Sequence, residues 1–471
     1  MAKEKYYSWS AINKFGCQLI GFVGNVFIAR LLTPDDYGLV AMLSIFIGIA
    51  WNFTESGFAD GLIKKANADE LDFSTIFVYN VFIGCILYAI LYVLAPFVAD
   101  FFHRRELEGI LRVIALSVVF RALTIVEVTK LRKELQFKTI AIVFVISTFL
   151  STFLGYLLAL NGYGYWSIVY QNLSVPVINI VYMILVLKWR PAFRFDWMRY
   201  KEMSRFGYNL MASYFTNQIG ANIYTLFIGK SHSSKDLGFY AQGIKISDAA
   251  FQGINSVILT TSYSIIAKEP SPSKRRDMYL SIFNHFSFIH FAVSFFLIGS
   301  AWPLINVFFG EQWVPSALFM QLIVIGFLLN PFVTINSNMI KIAGKSKLYR
   351  NLTFIRNGLN ITALLFTFRY SIETILVGQI LARYTSALLD VVSCGRYGGI
   401  RWSEQLLICI NQIAVPGLAC LFSWNIIRGL PIDGASLAYF SIAFFVTFFV
   451  GNVITGNRVQ RIYVEKYLKF K

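Results

Sequence analysis

Apolar residues fall in blocks about 20 long, the length that crosses a bilayer, from one end of the chain to the other. Read against their polar, glycine and proline breaks, the blocks predict helices at 11–31, 38–62, 74–99, 107–128, 139–160, 165–187, 206–229, 237–266, 281–301, 315–340, 350–369, 371–395, 406–427 and 434–456. Nearly every connection is short, and none has the length or composition of a soluble domain. The expected fold class is an all-α integral membrane protein of about fourteen transmembrane helices.

The pattern also repeats. Phe27-Ile-Ala-Arg30 matches Phe227-Ile-Gly-Lys230, and Asp36 and Gly38 match Asp236 and Gly238, at an offset of 200 without gaps. The offset spans six predicted helices, an even number, so both copies enter the membrane in the same sense. This is a parallel repeat about an axis along the membrane normal, a plan used by transporters. Two six-helix lobes related by a pseudo-two-fold are expected, at 1–203 and 204–402. Two extra helices and a tail then fill 403–471.

Against this apolar background the polar positions stand out, since a charge at membrane depth costs at least about 2.5–3.5 kcal/mol. The eighth span carries Gln242, Lys245, Asp248, Gln252 and Asn255, all on one helical face. Such a stripe must line a wet interior or pack on another polar helix. The repeat places Asn52 and Glu55 at the positions equivalent to Gln252 and Asn255, and Asp60 follows. Lys245 is the leading candidate for holding an anionic group, with a local pair to Asp248 at i,i+3 as the alternative. Arg121, Arg356 and Arg383 are further candidates, for which snorkelling to the interface is the plainer account. Arg383 and Asp390, seven residues apart, can pair along one face. Glu55, Asp60 and Asp248 are candidates for gating or for coupling to protons or sodium, with structural hydrogen bonds as the alternative. Pro176, Pro331 and Pro416 fall inside predicted spans and are expected to kink them.

Composition agrees with the pattern: 56% of residues are hydrophobic and only 14% charged, against roughly 25% charged in a soluble domain. The net charge of +17 would suit nucleic acid. Alternate assignment of the loops removes that reading, because about 30 basic residues fall on one side and 7 on the other. By the positive-inside rule both termini are expected in the cytoplasm. The basic opening MAKEKYYSWSAINKFG is followed by no small-residue cleavage site, so an uncleaved first helix is expected. The five cysteines show no CxxC spacing, the four histidines no cluster, and no phosphate-cradling loop or nucleophile arrangement occurs. No metal, cofactor or catalytic residue is expected.

The segments IARLLTPDDYGLVAM (28–42) and ESGFADGLIKK (55–65) resemble the amino-terminal region of Wzx-type polysaccharide flippases, of the multidrug/oligosaccharidyl-lipid/polysaccharide exporter superfamily. The resemblance extends to helix count, the two lobes and the two added helices. It implies a flippase of the bacterial inner membrane that moves undecaprenyl-pyrophosphate-linked oligosaccharide by alternating access, for O-antigen, capsule or exopolysaccharide. Membrane lipids and a polysaccharide polymerase are the implied partners. Lys245 would attract the pyrophosphate, while Gln242, Gln252, Asn255 and Asn52 would contact sugar hydroxyls. Helices 13 and 14 would border a groove for the tail. Arg30 matches a basic position at the end of the first helix. The related lipid II flippases carry arginines where this chain has Gln18 and Gly24, which argues against a peptidoglycan precursor. A multidrug or cation antiporter of the same superfamily is the alternative. A membrane polymerase or glycosyltransferase is a further one, disfavoured by short external connections without an acid pair.

Overall fold

A computed structural model describes residues 2–55, 58–65, 67–186, 193–457 and 459. Among these the secondary structure is helical throughout, with no strand. The helices are α1 (Ala2–Leu31), α2 (Pro34–Met42), α3 (Ser44–Glu55), α4 (Phe58–Lys64), α5 (Glu70–Phe102), α6 (Glu106–Ile114), α7 (Leu116–Lys133), α8 (Phe137–Leu160) and α9 (Tyr165–Leu185). They continue with α10 (Trp197–Ser231), α11 (Ser234–Lys268), α12 (Pro272–Phe309), α13 (Ser316–Phe327), α14 (Asn330–Ile342), α15 (Ser346–Thr367), α16 (Ile372–Gly398), α17 (Trp402–Ile427) and α18 (Gly434–Ile454).

The expected spans fall largely on helix, with residues 56, 57 and 187 outside the described ones. Among the described residues, ten helices are long and apolar enough to cross a membrane, and α2 with α3 adds an eleventh if this pair, bent by 44°, is one span. The chain is therefore a multi-pass membrane protein. Helices α10, α11 and α15 occupy expected spans but carry too much polarity to pass on apolarity alone. One expectation about kinks changes. Pro331 sits in the first turn of α14 rather than inside a continuous helix, so the 315–340 span breaks between α13 and α14. Proline has no N–H to give, and the first turn of a helix is where none is needed. Pro176 and Pro416 do lie inside α9 and α17.

The chain divides into two compact units, residues 1–241 and 242–471. In the first, Phe58, Phe73, Phe77 and Tyr79 close a core with Ile125, Val126 and Met203. In the second, Tyr279, Phe283, Phe286 and Phe291 pack with Phe332, Ile335 and Val391, while Phe440 and Phe444 of α18 pack on Ala419 and Cys420 of α17.

The repeat seen in the sequence has a physical form at the starts of α2 and α11, both inside the first unit. Thr33 Oγ1 accepts from Asp36 N at 3.3 Å, and Asp36 Oδ2 accepts from Thr33 N at 2.9 Å, closing a reciprocal cap. At the offset of 200, Ser233 Oγ accepts from Asp236 N at 3.1 Å and donates to Asp236 Oδ2 at 2.6 Å. The glycines two residues on are equivalent as well. A Cβ on Gly38 would overlap the Ser234 carbonyl, and a Cβ on Gly238 would overlap the Pro34 carbonyl. Each helix start rests on the backbone of the other through a residue without a side chain. Arg104 fastens this seam, pairing with Asp35 at 2.8 Å and donating to Ser234 Oγ at 3.0 Å.

At the basic-loop end of the same unit lies a charge network. Lys65 pairs with Asp72 at 3.0 Å and Glu202 at 2.9 Å, and Arg199 pairs with Asp72 at 3.2 Å and with Asp69. The Glu202 carboxylate, ahead of Asp72, holds the Lys65 ammonium above its usual range. A backbone N–H bond from Asp72, then Arg199, holds Asp69 below the ordinary carboxylate range.

Candidate functional site

Inside the first unit, α3, α4, α7, α8 and α9 enclose a cavity of about 380 Å³. Its α7 wall is set by helix periodicity: Arg121, Thr124, Ile125, Val128 and Arg132 recur on one face and all line the space. Trp51 and Asn52 come from α3, and Asn172, Pro176 and Asn179 from α9. Two arginines thus face one cavity whose lining, among the described residues, holds no carboxylate.

Each polar group is held in place by a neighbour. The Trp51 indole donates to Ser117 Oγ at 3.2 Å, which fixes the ring. Arg121 lies over that ring, its guanidinium carbon 4.6 Å from the centroid, so the flat cation is oriented by the aromatic face. Asn52 Nδ2 donates to the Gly48 carbonyl at 2.9 Å, which fixes the side chain. Pro176 removes the helical partner of the Asn172 carbonyl, adding a backbone acceptor to the cavity wall. Asn179 is buried, and its Oδ1 has no hydrogen-bond partner. A buried amide acceptor without a partner costs about 1–3 kcal/mol. Arg121 and Arg132 both border this space, and like charges brought together attract an anion.

Of the residues singled out from the sequence, Asn52 and Arg121 meet here. Glu55 and Asp60 have side chains outside the described residues. Arg30, in the last turn of α1, is exposed and apart from the cavity. The polar stripe of α11 is only partly accessible: Lys245 and Gln252 are exposed, Asp248 and Asn255 half-buried, and Gln242 buried. Asp248 accepts a hydrogen bond from Gln252, one turn on along the same helix, and lies in the field of Arg383. Asp390 pairs with Arg356 at 2.9 Å, not with Arg383, whose guanidinium lies over Phe327 at 4.7 Å. Sequence reasoning missed Trp51, Thr124, Arg132, Asn172 and Asn179. The signal was present in part, since Arg121 and Arg132 are eleven apart and Asn172 and Asn179 seven apart, both near-integral numbers of helical turns. Arg132 was absorbed into the basic-loop census.

The fold and this cavity define a class: a multi-pass helical membrane protein with the fold of the exporter superfamily named above. The "Lipid II flippase MurJ, inward closed conformation" superposes with a TM-score of 0.75 at 12% identity, covering 94% of this chain and 99% of that one. A "multidrug resistance MATE family transporter of the MOP superfamily" in an inward-facing conformation gives 0.61 at 16% identity, covering 82% and 95%.

Residues 27–318 match the family described as "Polysaccharide biosynthesis protein", and the chain belongs to it. Teichuronic acid biosynthesis protein TuaB of Bacillus subtilis (strain 168) is 26% identical over 72% of this chain and 71% of its own length. Succinoglycan biosynthesis transport protein ExoT of Rhizobium meliloti (strain 1021) is 24% identical over 65% and 62%. Lipopolysaccharide biosynthesis protein WzxC of Escherichia coli (strain K12) is 21% identical over 68% and 66%. These relatives agree with the resemblance read from residues 28–42 and 55–65.

Proposed function

We propose that the chain is a flippase for undecaprenyl-pyrophosphate-linked oligosaccharide, working by alternating access in the bacterial inner membrane with both termini cytoplasmic. The fourteen-span, two-lobe plan with lobes at 1–203 and 204–402 belongs to this reading, as does a downstream polymerase that consumes the product. The observation that carries it is the cavity between α3, α7 and α9, where Arg121 and Arg132 face Asn52, Asn172 and Asn179. A pyrophosphate wants planar cations, and sugars want amide partners. The polyprenyl chain need not leave the lipid. Lys245 on α11 serves as a further cation, and Gln252 and Asn255 as further sugar contacts. Arg356 and Arg383 are kept as charge partners within their own unit.

The test is Arg121→Ala in a strain dependent on this chain for surface polymer. One charge-assisted contact is worth about 1.5–3 kcal/mol, so export should fall at least about tenfold while the protein still inserts. Lipid-linked units should accumulate on the cytoplasmic face. Unchanged export would remove the cavity from the mechanism. Raised drug tolerance on expression, with export unaffected, would turn the reading to an antiporter.

A further inference from the structure

A second concavity of about 580 Å³ lies on the outside of the first unit, between α1 and α8. Its walls are Leu19, Val23 and Phe27 from α1 and Phe149, Phe153 and Tyr156 from α8. Five of these are exposed large apolar side chains. The furrow has depth because Gly24 lets α1 come against Thr152, where a Cβ would overlap the threonine methyl. Its aromatic walls are braced: Phe27 meets Tyr156 edge-on at 6.0 Å, and Phe149 stacks with Phe153 at 6.5 Å. From Leu19 to Phe27 it runs roughly 12 Å along the helix.

Helix periodicity puts one cation at its end. Eleven residues bring Arg30 to within about 20° of Leu19 around the axis of α1, and Arg30 is exposed in the last turn. An apolar crevice therefore leads up to a guanidinium, at the membrane face away from the basic loops. Lipid tails are as apolar as this crevice, so no hydrophobic gain draws a chain into it. Selectivity has to come from contact with the rigid rings and from an anion meeting Arg30. A crevice between one pair of helices admits one chain, which suits a single-tailed lipid phosphate better than a diacyl lipid.

We propose that the α1–α8 furrow binds the isoprenoid tail of the lipid-linked substrate, with its phosphate held at Arg30. This rests on the flippase reading, and it places the tail on α1 and α8 rather than beside α17 and α18. Because Arg30 lies at the face away from the basic loops, this seat holds the lipid once its head has crossed and left Arg121 and Arg132.

The experiment uses the full chain in nanodiscs with a polyprenyl monophosphate carrying a diazirine on its chain and no sugar. After irradiation, label should concentrate on peptides containing 19–27 and 149–156. Val23→Trp, which fills the furrow, should cut that label about tenfold, and Arg30→Gln should weaken competition by unlabelled polyprenyl phosphate by about the same factor, the scale of one charge-assisted contact. A thermal melt confirms that each variant is folded. A photoreactive phosphatidylglycerol is run in parallel. Equal labelling by it, or equal polyprenyl labelling of the outward face of α17 at Leu418 and Leu421, would overturn the proposal. Because binding is read without transport, this outcome is independent of export in Arg121→Ala.

Discussion

Trp51 and Phe251 occupy equivalent places in the repeat, yet their surroundings are opposites. Trp51 is half-buried, hydrogen-bonded to Ser117, covered by Arg121 and open to a cavity. Phe251 is 1% exposed, with His290 at 4.8 Å and Phe327 at 5.7 Å. The neighbouring polar groups follow suit. In the second unit amides satisfy one another: Tyr279 donates to Asn336, Asn336 to Gln405 at 2.9 Å, and Gln412 to Asn284 at 2.6 Å. In the first unit Asn179 Oδ1 is buried without a hydrogen-bond partner. Around Phe251 aromatic rings fill the space, while Trp51 borders an open one lined by two arginines.

Four measurements would break or sharpen that contrast. Phe251→Ala should have the largest effect, about 3–5 kcal/mol of lost stability from the cavity it leaves, read as a lower melting temperature of purified protein. Trp51→Ala should melt close to wild type but export poorly, and equal destabilisation by both would erase the contrast. Next, Gly38→Ala or Gly238→Ala should cost about 1–3 kcal/mol, the usual range for forcing extra atoms into a packed contact. The two should behave alike, because this part of the repeat is symmetric in structure. Trp51→Phe should weaken the cation–π contact with Arg121 by about 0.5–1 kcal/mol and drop the Ser117 bond, lowering export a few-fold with little change in melting. No change in export would show that the ring does not orient the cation.

The smallest effect concerns the loop network. Asp69 has a lowered folded value, so its contribution is present above the unfolded value near 3.8 and is lost as pH falls through the folded one. Lys65 has a raised folded value, so its contribution is complete below about 10.5 and is lost as pH rises through the folded one. Stability from this pair should be flat across neutral pH and decline at both extremes. Asp69→Asn should flatten the acid side alone, and an acid limb of unchanged shape in that variant would remove Asp69 from the network. These exposed pairs are screened by salt.

Much of the architecture was legible in the chain. Hydrocarbon admits few polar side chains and no unpaired backbone, so apolar blocks mark helices without reference to what they pack against. The offset of 200 announced the paired caps at Thr33 and Ser233, because a cap and a glycine contact are decided within a few residues. Family membership followed from residues 28–42 and 55–65 for the same local reason.

The site was only half legible. Spacing on one helix can say that Arg121 and Arg132 share a face, but not that Trp51 lies under one of them or that Asn172 and Asn179 stand opposite. It suggested pairs within a helix, Lys245 with Asp248 and Arg383 with Asp390, where the structure sets Asp248 with Gln252 and Arg383 and joins Asp390 to Arg356. Which polar groups meet depends on how helices cross, and crossings are fixed by side-chain volumes summed over many contacts. The chain by itself determined where the helices run and which faces are costly to leave in lipid. Tertiary packing alone decided that one face closes on itself while the other surrounds a cationic space.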